Sequence, residues 1–131
     1  MTPVFDAPLP PEVAALFRAP RHAGAPQPGA AIGIAGSPAL GTQVEFSLRS
    51  VSGRVRDLSF RAYGCPYTLA ACEWLAIRLQ GVELAAGLPE GPLQWAAALQ
   101  VPDQRLGRLL VLEDALRAAW NSAMQHEHQQ I

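Results

Sequence analysis

Lysine is absent from this chain: all ten of its cations are arginine, and with eleven acidic residues they leave a net charge of −1. So even a balance excludes the electrostatic footprint that nucleic acid or an anionic membrane surface would need. Only two cysteines are present. They cannot make a disulfide framework, and they point to free thiols in a reducing, cytoplasmic setting. No apolar run reaches the ~20 residues of a membrane span. The opening Met1-Thr2-Pro3-Val4-Phe5-Asp6 lacks the basic and apolar regions of a secretory signal. A phosphate-binding glycine loop, a paired-carboxylate constellation and a nucleophile elbow are also missing. The sequence therefore predicts no enzyme.

What is present suits one domain. The chain has 131 residues, 50% hydrophobic and 16% charged, enough to bury a core. Twelve prolines and eleven glycines divide it. Pro8, Pro10 and Pro11 precede a brief helix over Val13–Phe17, ended before Pro20. From Pro20 to Gly41 the chain reads as ordered loop with one edge strand, Ala30 to Ala35. Val44, Phe46 and Leu48 then alternate with polar neighbours, as a half-buried strand requires. A turn at Ser50–Gly53 leads to a second alternation through Leu58, Phe60 and Ala62, with a bulge expected between Val55 and Leu58.

The pattern next becomes helical. Pro66 suits a first helical position, and Leu69, Cys72, Leu75, Ala76 and Leu79 fall on one side until Gly81. A short helix follows Pro92. A last helix is expected with Asp103 as its N-cap and Leu109, Leu112, Leu116, Ala119, Trp120 and Ala123 as its apolar stripe. Strands first and helices afterwards give an α+β domain: a small antiparallel sheet of about three strands with helices on one face. Residues 1–131 form a single domain with flexible ends at 1–10 and 125–131.

Cys65, in Tyr63-Gly64-Cys65-Pro66, sits where a strand gives way to a helix. There its thiol meets unpaired backbone N–H groups and the positive end of a helix dipole, the setting of metal-binding and sulfur-attacking cysteines. A small buried residue at a tight turn is the equal alternative. Cys72 lies two helical turns further on, roughly 10 Å away, too far for a disulfide or a shared metal. Its place between Leu69 and Leu75 makes it a core residue. His126 and His128 flank Glu127 in a solvated tail, and His22 has no partner at a telling spacing.

The order of segments resembles the U-type iron–sulfur cluster assembly scaffolds, that is, IscU and the N-terminal domain of NifU, from about Glu12 to Trp120. Phe17-Arg18-Ala19-Pro20-Arg21-His22-Ala23-Gly24 is similar to that family's aromatic-x-x-Pro-Arg-Asn-x-Gly start, with His22 in place of Asn. Gly36-Ser37-Pro38-Ala39-Leu40-Gly41-Thr42 is similar to its first ligand loop. Phe60-Arg61-Ala62-Tyr63-Gly64-Cys65 is similar to its second, and Leu112–Ala119 to its last helix.

The resemblance implies a site of three cysteines and an aspartate holding a nascent cluster. By position, the first cysteine is Leu40, the aspartate Thr42, the second cysteine Cys65 and the third Arg108, with Gly107 in place of the neighbouring histidine. Cys65 is the one ligand-type residue kept. The family's chaperone-docking sequence falls at Val101–Arg105 and is mostly lost. An iron–sulfur cluster, iron or zinc needs about four soft or imidazole ligands, so none is expected to be held stably. Two readings follow. In one, the chain belongs to cluster assembly, with Cys65 as sulfur acceptor and a cysteine desulfurase or another assembly protein as partner. In the other, it is a metal-free interaction or regulatory protein that keeps the fold. Arg108 is a candidate thiol-activating residue for Cys65, or else pairs with Glu73 or Asp57.

Overall fold

The computed structural model describes residues 8–129. Of the ends expected to be flexible, 1–7 and 130–131 lie outside the described residues. Within them, Leu9 packs against the core, and the last helix continues to Gln129, beyond the apolar stripe that predicted it.

Three strands form one antiparallel sheet in chain order, β1 (Ala31–Ser37), β2 (Thr42–Val51) and β3 (Arg54–Tyr63). β1 is an edge strand, as expected. Val44, Phe46, Leu48, Leu58 and Phe60 are all buried on one face, so the sequence alternation marks the core side correctly. The β2–β3 hairpin turns at Ser52 and Gly53, both at positive φ (55° and 75°), which is the turn whose twist matches paired strands. Arg49 pairs with Asp57 but Ser50 pairs with Val55. Arg56 is therefore the extra residue of a bulge, inside the predicted interval.

Among the described residues, four helices accompany the sheet: α1 (Pro11–Arg18), α2 (Pro66–Arg78), α3 (Pro92–Leu99) and α4 (Leu106–Gln129). α2 and α4 cover the apolar face of the sheet, α1 packs on α2, and α3 packs on α4. The stripe Leu109, Leu112, Leu116, Ala119, Trp120 and Ala123 is wholly buried. Asp103 does not cap α4. It opens a single 3-10 turn, Asp103–Arg105, without a side-chain bond. The turn is closed by Arg105 N–H on Pro102 C=O (2.9 Å), which delays the α-helix to Leu106.

Two chain segments extend the outer edge of β3. Ala23 bridges Phe60 in parallel, and Glu83 bridges Arg54 antiparallel. The first bridge carries residues 24–30 back across the polar face of the sheet towards β1.

Candidate functional site

The β1–β2 connection is short and specifically built. The Ser37 hydroxyl accepts a hydrogen bond from Leu40 N–H (3.3 Å), capping a single 3-10 turn over Pro38–Leu40. Gly41 then takes φ 77°, a left-handed conformation open to glycine at little cost. The turn leaves the Leu40 side chain 72% exposed and draws Thr42, at the start of β2, down to 2%.

Arg108, in the first turn of α4, reaches this loop. One guanidinium nitrogen donates to Gly41 C=O (3.0 Å) and to Thr42 Oγ1 (2.7 Å). The expected carboxylate partners of Arg108 are engaged elsewhere. Asp57 lies opposite Arg49, 3.5 Å from its guanidinium, seven residues along β2 from Thr42 and therefore on the order of 20 Å away. Glu73 is taken by His22.

Cys65 occupies the N-cap of α2, as the sequence suggested, in extended conformation (φ −80°, ψ 169°) and without a side-chain capping bond. Its Sγ shares a hydrogen bond with the buried Thr68 Oγ1 at 3.5 Å. Pro66 has no N–H to offer, so the free donors of this turn belong to the residues after it. Gln43 and Tyr63 are paired across β2 and β3, which sets Thr42 and Cys65 at the same end of the sheet. The structure thus brings Leu40, Thr42 and Arg108 into one linked cluster with Cys65 beyond the adjacent strand end. Among the described residues, the hydrogen bonds of Arg108 go to the loop and that of Cys65 to Thr68, so the guanidinium–thiol contact is not one of them.

Cys72 is fully buried in α2. Removal from water pushes its thiol pKa well up, and the Glu73 carboxylate adds to the rise. It is a core residue, as expected.

The sequence missed one side-chain pair. The Glu73 carboxylate, 1% exposed on α2, accepts the backbone N–H of His22 (2.8 Å) and bonds its ring Nδ1 (2.5 Å). A charge so buried persists only when paired and hydrogen-bonded. Here it fixes the segment after α1 to α2. Fifty-one residues separate the two, so no local spacing could reveal the pair. A glutamate on the apolar side of a predicted helix was the one available signal.

His126 is exposed on α4, beside Arg49 and Ser50 at the opposite end of the sheet from Thr42, and the His128 side chain lies outside what is described. Among the described residues, no three His, Cys, Asp or Glu side chains are grouped to hold a metal ion. Among the described residues around the Arg108 loop, Cys65 is the one soft donor.

Comparison with known proteins matches residues 10–129 to the NifU-like N terminal domain family. The chain belongs to this family. The match bears out the resemblance to U-type scaffolds seen in the sequence, and with it the α+β fold. The nitrogen fixation protein NifU of Cereibacter sphaeroides is 34% identical over 84 residues, covering 64% of this chain and 34% of that protein. The mitochondrial iron sulfur cluster assembly protein 1 of Schizosaccharomyces pombe is 27% identical over 93 residues, 70% of this chain and 48% of that one. The chain thus spans between a third and a half of the length of these relatives. The N-terminal NifU-like protein of Brucella abortus has the same fold, with a TM-score of 0.68 at 18% identity, covering 88% of this chain and 94% of that one. No helix of this NifU-like domain, among its described residues, is long and apolar enough to cross a membrane.

Proposed function

We propose that this NifU-like domain serves iron–sulfur cluster assembly as a divergent scaffold-type protein. Its three-cysteine, one-aspartate site is reduced to Cys65, and it works without catalytic turnover of its own. The observation that carries the reading is Arg108. At a family ligand position it places a fixed cation, hydrogen-bonded to Gly41 and Thr42, where a cluster needs thiolate. Leu40 supplies an apolar group at the second such position and Thr42 a buried hydroxyl at the third. This donor set does not fit a cluster or a tetrahedral metal.

Cys65 keeps one useful chemistry. Its thiolate can attack the terminal sulfur of a persulfide on a donor such as a cysteine desulfurase. The donor's S–S bond breaks, the donor leaves as a thiolate, and Cys65 carries the sulfur as a persulfide. The cytoplasm, or another compartment that keeps thiols reduced, suits such a residue.

The test is anaerobic reconstitution with iron and sulfide. Wild type, Cys65→Ala, and a chain carrying Leu40→Cys, Thr42→Asp and Arg108→Cys together are compared by metal and acid-labile sulfide content. The expected result is little iron or sulfide in the first two and a clear gain in the third. Near-stoichiometric iron and sulfide in wild type, lost in Cys65→Ala, would overturn the proposal that the site is dismantled.

The 72% exposure of Leu40 at the tip of its loop favours one further reading, a metal-free interaction protein that uses this loop. That reading predicts that Cys65→Ala still binds its partner whereas Leu40→Asp does not.

A further inference from the structure

The polar face of the sheet carries a groove unrelated to the cluster positions. It measures about 490 Å³, within the usual size of small-molecule sites. Its floor is a cross-strand pair of serines, Ser47 on β2 opposite Ser59 on β3. Gly24, Ala25 and Gln27 form one wall. Gln27 anchors this wall by accepting a hydrogen bond from Arg49 (2.6 Å).

Ser47 is the decisive residue. It is 3% exposed, and its Oγ has no hydrogen-bond partner. A buried hydroxyl without a partner is costly and uncommon, and this one belongs to the lining of a groove large enough for a ligand. A second donor adjoins it. The N–H and C=O of Phe60 are both spent on residues 22–24. Leu58, two residues back on the same strand, directs its own N–H and C=O to the same edge. There, between the Ala23 and Glu83 bridges, Leu58 lines the groove.

The charge of the lining selects the ligand. Arg21 and Arg49 supply two cations. Asp57 is the one carboxylate lining the groove among the described residues, and it lies 3.5 Å from Arg49. The guanidinium of Arg49 has more donors than these two acceptors use. We infer that the groove binds a small molecule bearing a carboxylate or phosphate group. Its anionic oxygens meet Arg21 and Arg49, and it accepts the Ser47 hydroxyl. This assignment is independent of the cluster reading.

The experiment is a titration of backbone amide signals with inorganic phosphate, with citrate, and with glycerol as an uncharged control. The expected result is saturable movement of the Ser47, Arg49, Leu58 and Ser59 signals by one or both anions at about 1 mM, and none by glycerol. Ser47→Ala and Arg49→Gln should each weaken binding about tenfold, the loss expected for a charge-assisted hydrogen bond. Response to phosphate alone assigns a phosphorylated ligand, and response to citrate alone a carboxylate. Failure of both anions to move these signals at about 20 mM, an equal response to glycerol, or unchanged affinity in both folded variants would overturn the site and leave water as the partner of Ser47.

Discussion

Arg108 donates to Thr42 Oγ1 across 2.7 Å, joining the first turn of α4 to the first residue of β2, sixty-six positions earlier. The same guanidinium holds Gly41 C=O, so one side chain closes the loop that displays Leu40. Because Thr42 is 2% exposed, its hydroxyl has no recourse to water. Arg108→Ala should therefore cost about 1–3 kcal/mol, the penalty of a stranded buried polar group. The double variant Arg108→Ala, Thr42→Val should recover part of that loss, since both partners are then gone. Urea unfolding of the two single variants and the double gives the coupling energy. Additive losses would mean that the contact contributes nothing to stability.

The His22–Glu73 pair makes the next prediction. Glu73 is almost fully buried and serves both the N–H and the ring of His22. His22→Ala removes one of these two bonds and leaves a buried carboxylate partly unsatisfied, at a cost of about 2 kcal/mol. Glu73→Leu strands the His22 N–H but also removes the buried charge, so the loss should be no larger. The more specific readout is hydrogen exchange. In His22→Ala the amides of Gly24 and Phe60, which donate to Phe60 C=O and His22 C=O along the edge of β3, should lose protection well before those of β2. Uniform loss across the sheet would mean that the pair does not act locally.

Much of this architecture was legible because it is periodic. Val44, Phe46 and Leu48 alternate, and all lie at the core; Leu109 through Ala123 recur at helical spacing, and all are buried. What was not legible is what joins distant segments. The Arg108 partners are a backbone carbonyl and a hydroxyl, types that no charge-pairing rule proposes. The Ser47 hydroxyl lies on the strand face that the alternation assigns to solvent, yet Ser47 is buried, in a groove lined in part by the returning segment. Asp103 has a good capping side chain, but the 3-10 turn before α4 displaced it from the cap. Among the candidate site residues, the resemblance already grouped Leu40, Thr42 and Arg108, and the fold added the hydrogen bonds of Arg108 to Gly41 and Thr42.

Gly33 was equally silent in the sequence. On β1 it faces α4 so closely that a Cβ would collide with Ala115 C=O and Ala119 N–H. These are backbone atoms of a helix and cannot swing aside. Gly33→Ala must push β1 off α4 and should cost about 3 kcal/mol or more, the range of severe overpacking. Gly107 is the contrast, a helical glycine with nothing near its missing Cβ. Gly107→Ala should stabilise by up to about 1 kcal/mol through helix propensity. Thermal unfolding of the two variants should move in opposite directions. A Gly33→Ala protein as stable as wild type would mean that β1 and α4 can separate freely.

The two cysteines should behave as chemically different groups. Cys65 is partly exposed at the start of α2, whereas Cys72 is sealed in the core with its thiol pKa pushed up by burial. A thiol probe should label one cysteine in the native protein and two in denaturant, with Cys65 identified by mass spectrometry. The Cys72 shift also has a stability signature. The folded state holds this thiol protonated, while the unfolded chain loses the proton above pH of about 8.5. The unfolded state then binds fewer protons than the folded state, so stability falls as pH rises, by about 1.4 kcal/mol per unit. The stabilisation is complete below that pH and is lost above it. The chain has no lysine, so the other groups that ionise in this range are Cys65, the two tyrosines and the α-amino group, and the Cys72 contribution is read as the difference between wild type and Cys72→Ala. Cys72→Ala should flatten the decline between about pH 9 and 10.5 by roughly 2 kcal/mol. An identical slope in that variant would mean that the Cys72 thiol ionises in the folded protein.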